Sequence, residues 1–213
     1  MTTAVERSRP RGEIRRAQIL DGATAVFLEY GYAGATIDLV VARIGASKAT
    51  IYSFFGGKEG LFSALIEERT EHILAGFKDI EIGTVDVRNG LARLAQQYMD
   101  VVMSPDAIEL YRLILAEGPR FPDLVKSFYR IGPDRVTARV ANDLRLWAQQ
   151  GRISADDPDR IAAQFLDTVR GELHVRVMAG LRPNDLAKAI KGNIDHAVRT
   201  FWRALHPRSA RKA

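Results

Sequence analysis

The sequence predicts an all-α protein of nine or ten helices. Three observations carry that expectation. No useful length of chain alternates apolar and polar residues with the period of two that a half-buried strand needs. Apolar residues fall instead at helical spacing, as in Phe62, Leu65, Ile66, Ile73, Leu74 and Phe77. Capping residues, first-turn prolines and glycine stops punctuate the chain at helix-length intervals. The 213 residues, 46% apolar and 27% charged, are enough for one or two domains with a sizeable core.

Residues 1–12 are polar and carry Arg7, Arg9 and Arg11 around Pro10, too little apolar surface to order themselves. They read either as a frayed terminus or as a flexible basic arm that touches phosphate or enters a minor groove. The first helix is expected from Glu13 to Tyr30, with Ile14, Ala17, Ile19, Leu20, Ala23, Val26 and Phe27 inward and Gly31 as its stop. Residues 36–55, TIDLVVARIGASKATIYSFF, then read as two short helices joined by a tight turn. Thr36 caps the first, Asp38 suits the positive end of its dipole, and Ile37, Val40, Val41 and Ile44 share one face. Gly45 stops it, and Ser47 caps the second. The inward side of that second helix needs only Ile51 and Phe55, while Lys48, Thr50, Tyr52, Ser53 and Phe54 face out. A helix showing hydroxyls, a cation and rings suits a DNA major groove, where phosphates take Lys and hydroxyl donors and thymine methyls take apolar contacts.

After a Gly56-Gly57 joint, a long helix is expected from Glu59 to Phe77, with Lys58 at its head and near enough to the second short helix to meet a phosphate. Beyond a turn at Ile82-Gly83, Asp86, Ser104-Pro105, Pro122, Gly132-Pro133, Asp157-Pro158 and Pro183 each open a helix, and Gly118-Pro119, Gly151 and Ala179-Gly180 close them. The last two long helices carry apolar stripes, Ile161 to Val177 and Leu186 to Leu205, with further apolar residues off the stripe such as Ala162, Val175, Met178, Val198 and Trp202. With Gly171 and Gly192 allowing close approach, a pair of such helices from each of two subunits could build a four-helix interface. The tail after Pro207 is short, basic and expected to be disordered.

The run S-K-A-T-I-Y-x-F-F-x-x-K-E-x-L-F from Ser47 to Phe62, with Thr36, Gly45 and the upstream stretch from Ile19 to Gly31, resembles the helix-turn-helix of the tetracycline-repressor (TetR) family of bacterial transcriptional regulators. Residues 113–129, through Glu117, Arg120, Phe121, Pro122 and Leu124, resemble the effector domain of its AefR-like subgroup. The resemblance implies a helix-turn-helix domain over residues 13–73, an effector-binding and dimerisation domain over 74–206, and a basic tail over 207–213. It implies a homodimer through the last two long helices, a near-palindromic double-stranded DNA operator, and a small, largely apolar effector that releases a repressor. No cofactor is expected. Thr36, Ser47, Lys48, Ala49, Thr50, Tyr52, Ser53, Phe54 and Lys58 become the expected DNA contacts. The middle helices offer Tyr98, Met99, Met103, Tyr111, Phe128, Trp147, Phe165, Arg170 and His174 as pocket candidates, although rings and methionines at this spacing also suit plain core, and Arg170 also suits a surface or salt-bridged place. The sequence departs from the family pattern in places. Val41 and Ile44 stand where small residues are usual, which reads as a volume exchange across the helix crossing. Ala46 replaces a usual Val, and Ala49 replaces a frequent Gly, altering the closest approach to DNA.

Other classes find less support. The chain has no cysteine, hence no disulfide or thiolate metal site, which is compatible with a reducing cytoplasm. No apolar run nears the roughly 20 residues of a membrane helix, and the N-terminus lacks the apolar core of a secretory signal. The net charge of +5 favours an anionic partner only mildly. His72, His174, His196 and His206 form no HExxH pair, and no Walker loop, G-x-S-x-G or G-x-G-x-x-G occurs, so no metal site or enzyme is expected. A non-specific DNA-packaging protein would carry more positive charge and lack the large apolar second half.

Overall fold

Side-chain caps set most of the helix starts. The computed structural model describes residues 11–78 and 84–206, all helix and connecting turns. The ten helices are α1 (Arg11–Gly34), α2 (Ile37–Ile44), α3 (Lys48–Phe55), α4 (Lys58–Lys78), α5 (Val87–Val102), α6 (Pro105–Glu117), α7 (Pro122–Ile131), α8 (Pro133–Gln149), α9 (Pro158–Met178) and α10 (Leu186–Leu205). Thr36, Ser47, Asp86, Ser104, Asp157 and Asp185 each accept the backbone N–H three residues ahead, satisfying one of the orphan donors of a helix start. Pro105, Pro122, Pro133 and Pro158 occupy first-turn positions that need no N–H. The arm's residues 1–10, the Ile82-Gly83 turn and the tail 207–213 lie outside the described residues.

Two apolar clusters hold the chain. One is built from α5, α8, α9 and α10, with Leu91, Leu94, Met99, Val140, Trp147, Phe165 and Val169 fully buried or nearly so. The other begins in α1–α4, around Leu20, Phe27, Ile51, Leu61 and Phe62, and continues into α6 and α7 through Leu110, Ile114, Leu124 and Phe128. The helix-turn-helix unit therefore shares a core with two helices of the larger half. Tyr32 marks the seam: its ring lies 5.4 Å from Phe62 of α4 and 5.1 Å from Phe121 at the head of α7, both edge-on.

Hydrogen bonds tie the same seam. Gly31 breaks α1 (φ 70, ψ 172), and the chain makes one more turn to Gly34 where the sequence suggested a stop. The Ala33 N–H released there donates to the Glu117 carboxylate at the end of α6 (3.3 Å). The Lys58 ammonium, at the start of α4, donates to the Tyr32 carbonyl (2.9 Å) and sits 4.7 Å from the Tyr32 ring centre. Glu117 and Phe121, two residues that carry the AefR-like resemblance, thus touch the end of α1.

A second break falls in α9, at Gly171 (φ 51, ψ −160), a conformation open to glycine and costly for any other residue. The interrupted helix leaves the Val169 and Arg170 carbonyls to Asn193 of α10, which donates to them at 3.3 and 3.0 Å. Gly171 is also a point of close helix approach, as the sequence offered, since a Cβ there would lie 3.0 Å from Nδ2 of Asn193.

The expected volume exchange is visible between α1 and α2. A Cβ built on Gly22 would lie 2.1 Å from Cγ2 of Ile44, so the glycine supplies the room that the branched side chain fills. Gly22→Ala should cost about 1–3 kcal/mol, because a β-branched neighbour has few rotamers to yield with. Urea melts of the single and double variants check this. Ile44→Ala should restore most of the loss, and additive losses in the double variant would refute the pairing.

Candidate nucleic-acid interface and effector cavity

The turn between α2 and α3 is built from three local devices. Thr36 Oγ1 accepts the Leu39 N–H (3.2 Å) at the start of α2. Gly45 takes the left-handed conformation (φ 61, ψ 38), and its N–H donates to the Val41 carbonyl. Ser47 Oγ accepts the Thr50 N–H (3.1 Å) and shares a hydrogen bond with the Thr50 hydroxyl (2.8 Å). α3 is then pinned by Ile51, which is fully buried, and by Phe55, over which Arg16 of α1 stacks at 5.7 Å. Arg15 of α1 donates to the Gly45 carbonyl (3.2 Å), fixing the turn from outside.

What α3 leaves outside is one face. Lys48, Ala49, Tyr52 and Ser53, spaced one and four apart, are all exposed, with Phe54 at its edge. Tyr52 keeps 53% and Phe54 44% of their surface. The Lys48 ammonium pairs with Asp38 of α2 (2.7 Å), which holds its pKa above the usual lysine value. The Thr36 and Ser47 hydroxyl oxygens are engaged as caps, so both side chains are part of the turn itself.

The larger half encloses a cavity of about 90 Å³ between α4, α5, α6, α7, α8 and α9. Tyr98, Tyr111, Phe128, Arg170 and His174 line it, joined by Ile66 and Thr70 of α4 and by Leu110 and Val136. Tyr111 meets Phe128 and His174 edge-on at 5.5 and 5.4 Å. Burial pushes the Tyr98 hydroxyl up to about 12, so it remains a neutral donor. Burial, and then the Arg170 charge, pull His174 down to about 4.

Residues 89–207 match the family pattern described as AefR-like transcriptional repressor, C-terminal domain, and residues 19–65 match that of the tetR family of bacterial regulatory proteins. The chain belongs to the TetR family of transcriptional regulators. This TetR-family chain is 32% identical over 188 residues to the HTH-type transcriptional repressor Rv1474c of Mycobacterium tuberculosis, spanning 87% of this chain and 93% of that protein. It is 28% identical over 192 residues to the HTH-type transcriptional activator FasR of Mycolicibacterium smegmatis, spanning 88% and 83%. The solved structure of the flavonoid-responsive regulator FrrA superposes with a TM-score of 0.77 at 30% identity, covering 92% of this chain and all (100%) of that one.

Within this TetR-family fold the expected site residues divide. Lys48, Ala49, Tyr52, Ser53 and Phe54 share the open side of α3, whereas Lys58 spends its ammonium on the end of α1. Of the pocket candidates, Tyr98, Tyr111, Phe128, Arg170 and His174 reach the cavity wall. Met99, Met103, Trp147 and Phe165 do not; all four are buried in the packed apolar cluster of the larger half. Periodicity marks a side chain as inward and is silent on whether it meets a neighbour or a void. Sequence reasoning passed over Ile66 and Thr70, although a hydroxyl at an apolar position of the α4 stripe was a signal. It also passed over Arg15, for which a cation on a partly exposed helix gave no signal. Among the described residues no group of three His, Asp or Glu could hold a metal ion, and no helix is long and apolar enough to cross a membrane.

His174 makes folding pH-dependent in a stated direction. Its folded pKa, about 4, lies below the ordinary 6.5, so the unfolded chain takes up the proton first as the pH falls. The stability it contributes is complete above about pH 6.5 and drains away toward pH 4, by roughly 2–3 kcal/mol. Urea melts of wild type and His174→Gln between pH 7 and 4 should converge by that amount at the acid end; parallel curves would exclude it.

Proposed function

We propose that this TetR-family regulator is a homodimeric repressor released from a near-palindromic operator by a small, largely apolar effector. The single observation that carries the reading is the course of α4. Its first residue, Lys58, is fastened beside the helix-turn-helix, and about two and three turns later Ile66 and Thr70 stand in the cavity wall. A molecule in the cavity therefore presses on the rod that carries α3. The cavity is smaller than the roughly 150 Å³ that houses a benzene ring, so occupancy favours a conformation with α4 or α6 displaced. A ligand shifts the balance between conformations by its differential affinity for them. Rv1474c, a repressor by name, and FrrA, flavonoid-responsive by name, support the two halves of the reading.

In this reading residues 13–73 read DNA, 74–206 bind effector and dimerise through α9 and α10, and the protein works in the cytoplasm, without catalysis of its own. Two copies of α3 enter successive major grooves about 34–36 Å apart. Lys48 exchanges Asp38 for a phosphate, Tyr52, Ser53 and Phe54 meet bases, Ala49 allows close approach, and Thr36, Ser47 and Thr50 set backbone and hydroxyls at the groove edge. Lys58 holds α4 to α1 and serves by position.

Selection of binding sites from random duplex, followed by footprinting and sedimentation, tests this. A palindromic site occupied by a dimer is expected; a monomer with no preference over competitor DNA would end the reading. On the selected site, Lys48→Ala should flatten the slope of log affinity against log salt by about 2 per dimer, one released counterion per subunit. Lys58→Met should lower the melting temperature and leave that slope unchanged. The opposite pattern would reverse the roles of the two lysines.

A further inference from the structure

The polar inventory of the cavity is lopsided, and the asymmetry names a ligand class. No Asp or Glu lies among the residues that line it, and Arg170 carries the one formal charge there, His174 being neutral. Among the described residues Arg170 pairs with one carboxylate, Asp167, three residues before it on α9 and 66% exposed, whose charge also reaches the Tyr98 hydroxyl. One N–H of the five on the guanidinium is used in that pair. Tyr98 is 8% exposed, and its hydroxyl makes no hydrogen bond with a described residue. Thr70, by contrast, spends its proton on the Ile66 carbonyl (2.9 Å). The opening is thus walled by rings and aliphatic groups and supplied with unspent donors at one end. Donors that face such an opening favour a ligand able to accept from them, and most of all one bearing negative charge.

We propose that the cavity selects a small aromatic acid: a planar ring seated among Tyr111, Phe128 and Val136, with its anionic oxygen held by Arg170 and Tyr98. This rests on the reading of the cavity as the effector site. Tyr111 and Phe128, edge-on to one another, offer a ring the offset and edge contacts that aromatic pairs prefer. The break at Gly171 and the two hydrogen bonds from Asn193 hold the backbone of Arg170 in place, so its guanidinium meets the ligand with little to reorganise. The anionic oxygen could be a carboxylate or a phenolate, and the two differ in whether charge survives at low pH.

Calorimetric titration of the full chain with benzoate, benzamide, toluene and 4-nitrophenol tests the proposal, the last taken above and below its own pKa. Wild type should bind benzoate at least tenfold more tightly than benzamide, and 4-nitrophenol more tightly once ionised if phenolates are accepted. Arg170→Met should abolish the preference for benzoate. Tyr98→Phe, which keeps the ring and removes only the hydroxyl, should weaken benzoate several-fold and leave toluene unchanged, whether or not the Arg170 variant folds. Equal binding of benzoate and benzamide by wild type, toluene bound with benzoate refused, or no ring compound bound at all would each overturn it. Operator affinity measured with and without benzoate separates the two readings: benzoate bound with operator affinity unmoved would leave the ligand class standing and remove the regulatory role.

Discussion

Tyr52→Ala should cost operator affinity roughly 30-fold to 10⁴-fold while leaving the melting temperature where it was. Tyr52 keeps 53% of its surface exposed on a helix held by Ile51 and Phe55 on the opposite side. Removing it takes little from the core, and surface changes of this kind fall within about 0.5 kcal/mol. On DNA the same side chain is used twice, once per subunit. A lost contact at a base pair costs about 1–3 kcal/mol, and doubling that gives about 2–6 kcal/mol, hence the range of affinities. Gel-shift titration on the selected site, beside a thermal melt of the same preparation, reads both quantities. A melt lowered by several degrees, or affinity within threefold of wild type, would show that the ring belongs to the fold and not to the DNA surface.

Trp147→Ala should have the converse signature. The indole is fully buried between α5, α8, α9 and α10, outside the cavity wall. Gly90 is cut away to receive it, since a Cβ there would lie 2.5 Å from its ring. Truncating a buried tryptophan costs about 3–5 kcal/mol, against a total stability of about 5–15 kcal/mol. For a chain of this length that corresponds to a fall in melting temperature of about 6–20 °C. Differential scanning calorimetry checks it. A melt within 2–3 °C of wild type, about the effect of 1 kcal/mol, together with altered effector binding would return Trp147 to the pocket.

These two residues show what could be read from the chain alone. Tyr52 was legible because the short helix around it has only two inward positions, so everything else on it must face out. The caps at Thr36, Ser47, Asp86 and Ser104 were legible for the same kind of reason: they act within three residues, and the local chemistry is complete in the sequence. Trp147 and Phe128 were not separable in this way. Both are aromatic, both fall on an inward stripe, and one ends in packed core and the other beside a void. That difference depends on how six helices cross, and no window of residues contains it. Lys58 is a similar case. Its place in the family motif suggested phosphate, while its nearest partner is a carbonyl exposed by a break in α1, 26 residues earlier.

The sequence by itself determined the helices, their order, and the polar face of α3, because periodicity, caps and breakers act over a few residues each. The tertiary structure alone decided three things: that Glu117 and Phe121 fasten the larger half to the end of α1, that α4 joins the cavity to the DNA-reading unit, and that Arg170 is the charged group among the residues lining that cavity. Each of these rests on contacts between residues far apart in the chain, and such contacts exist only after the helices have packed.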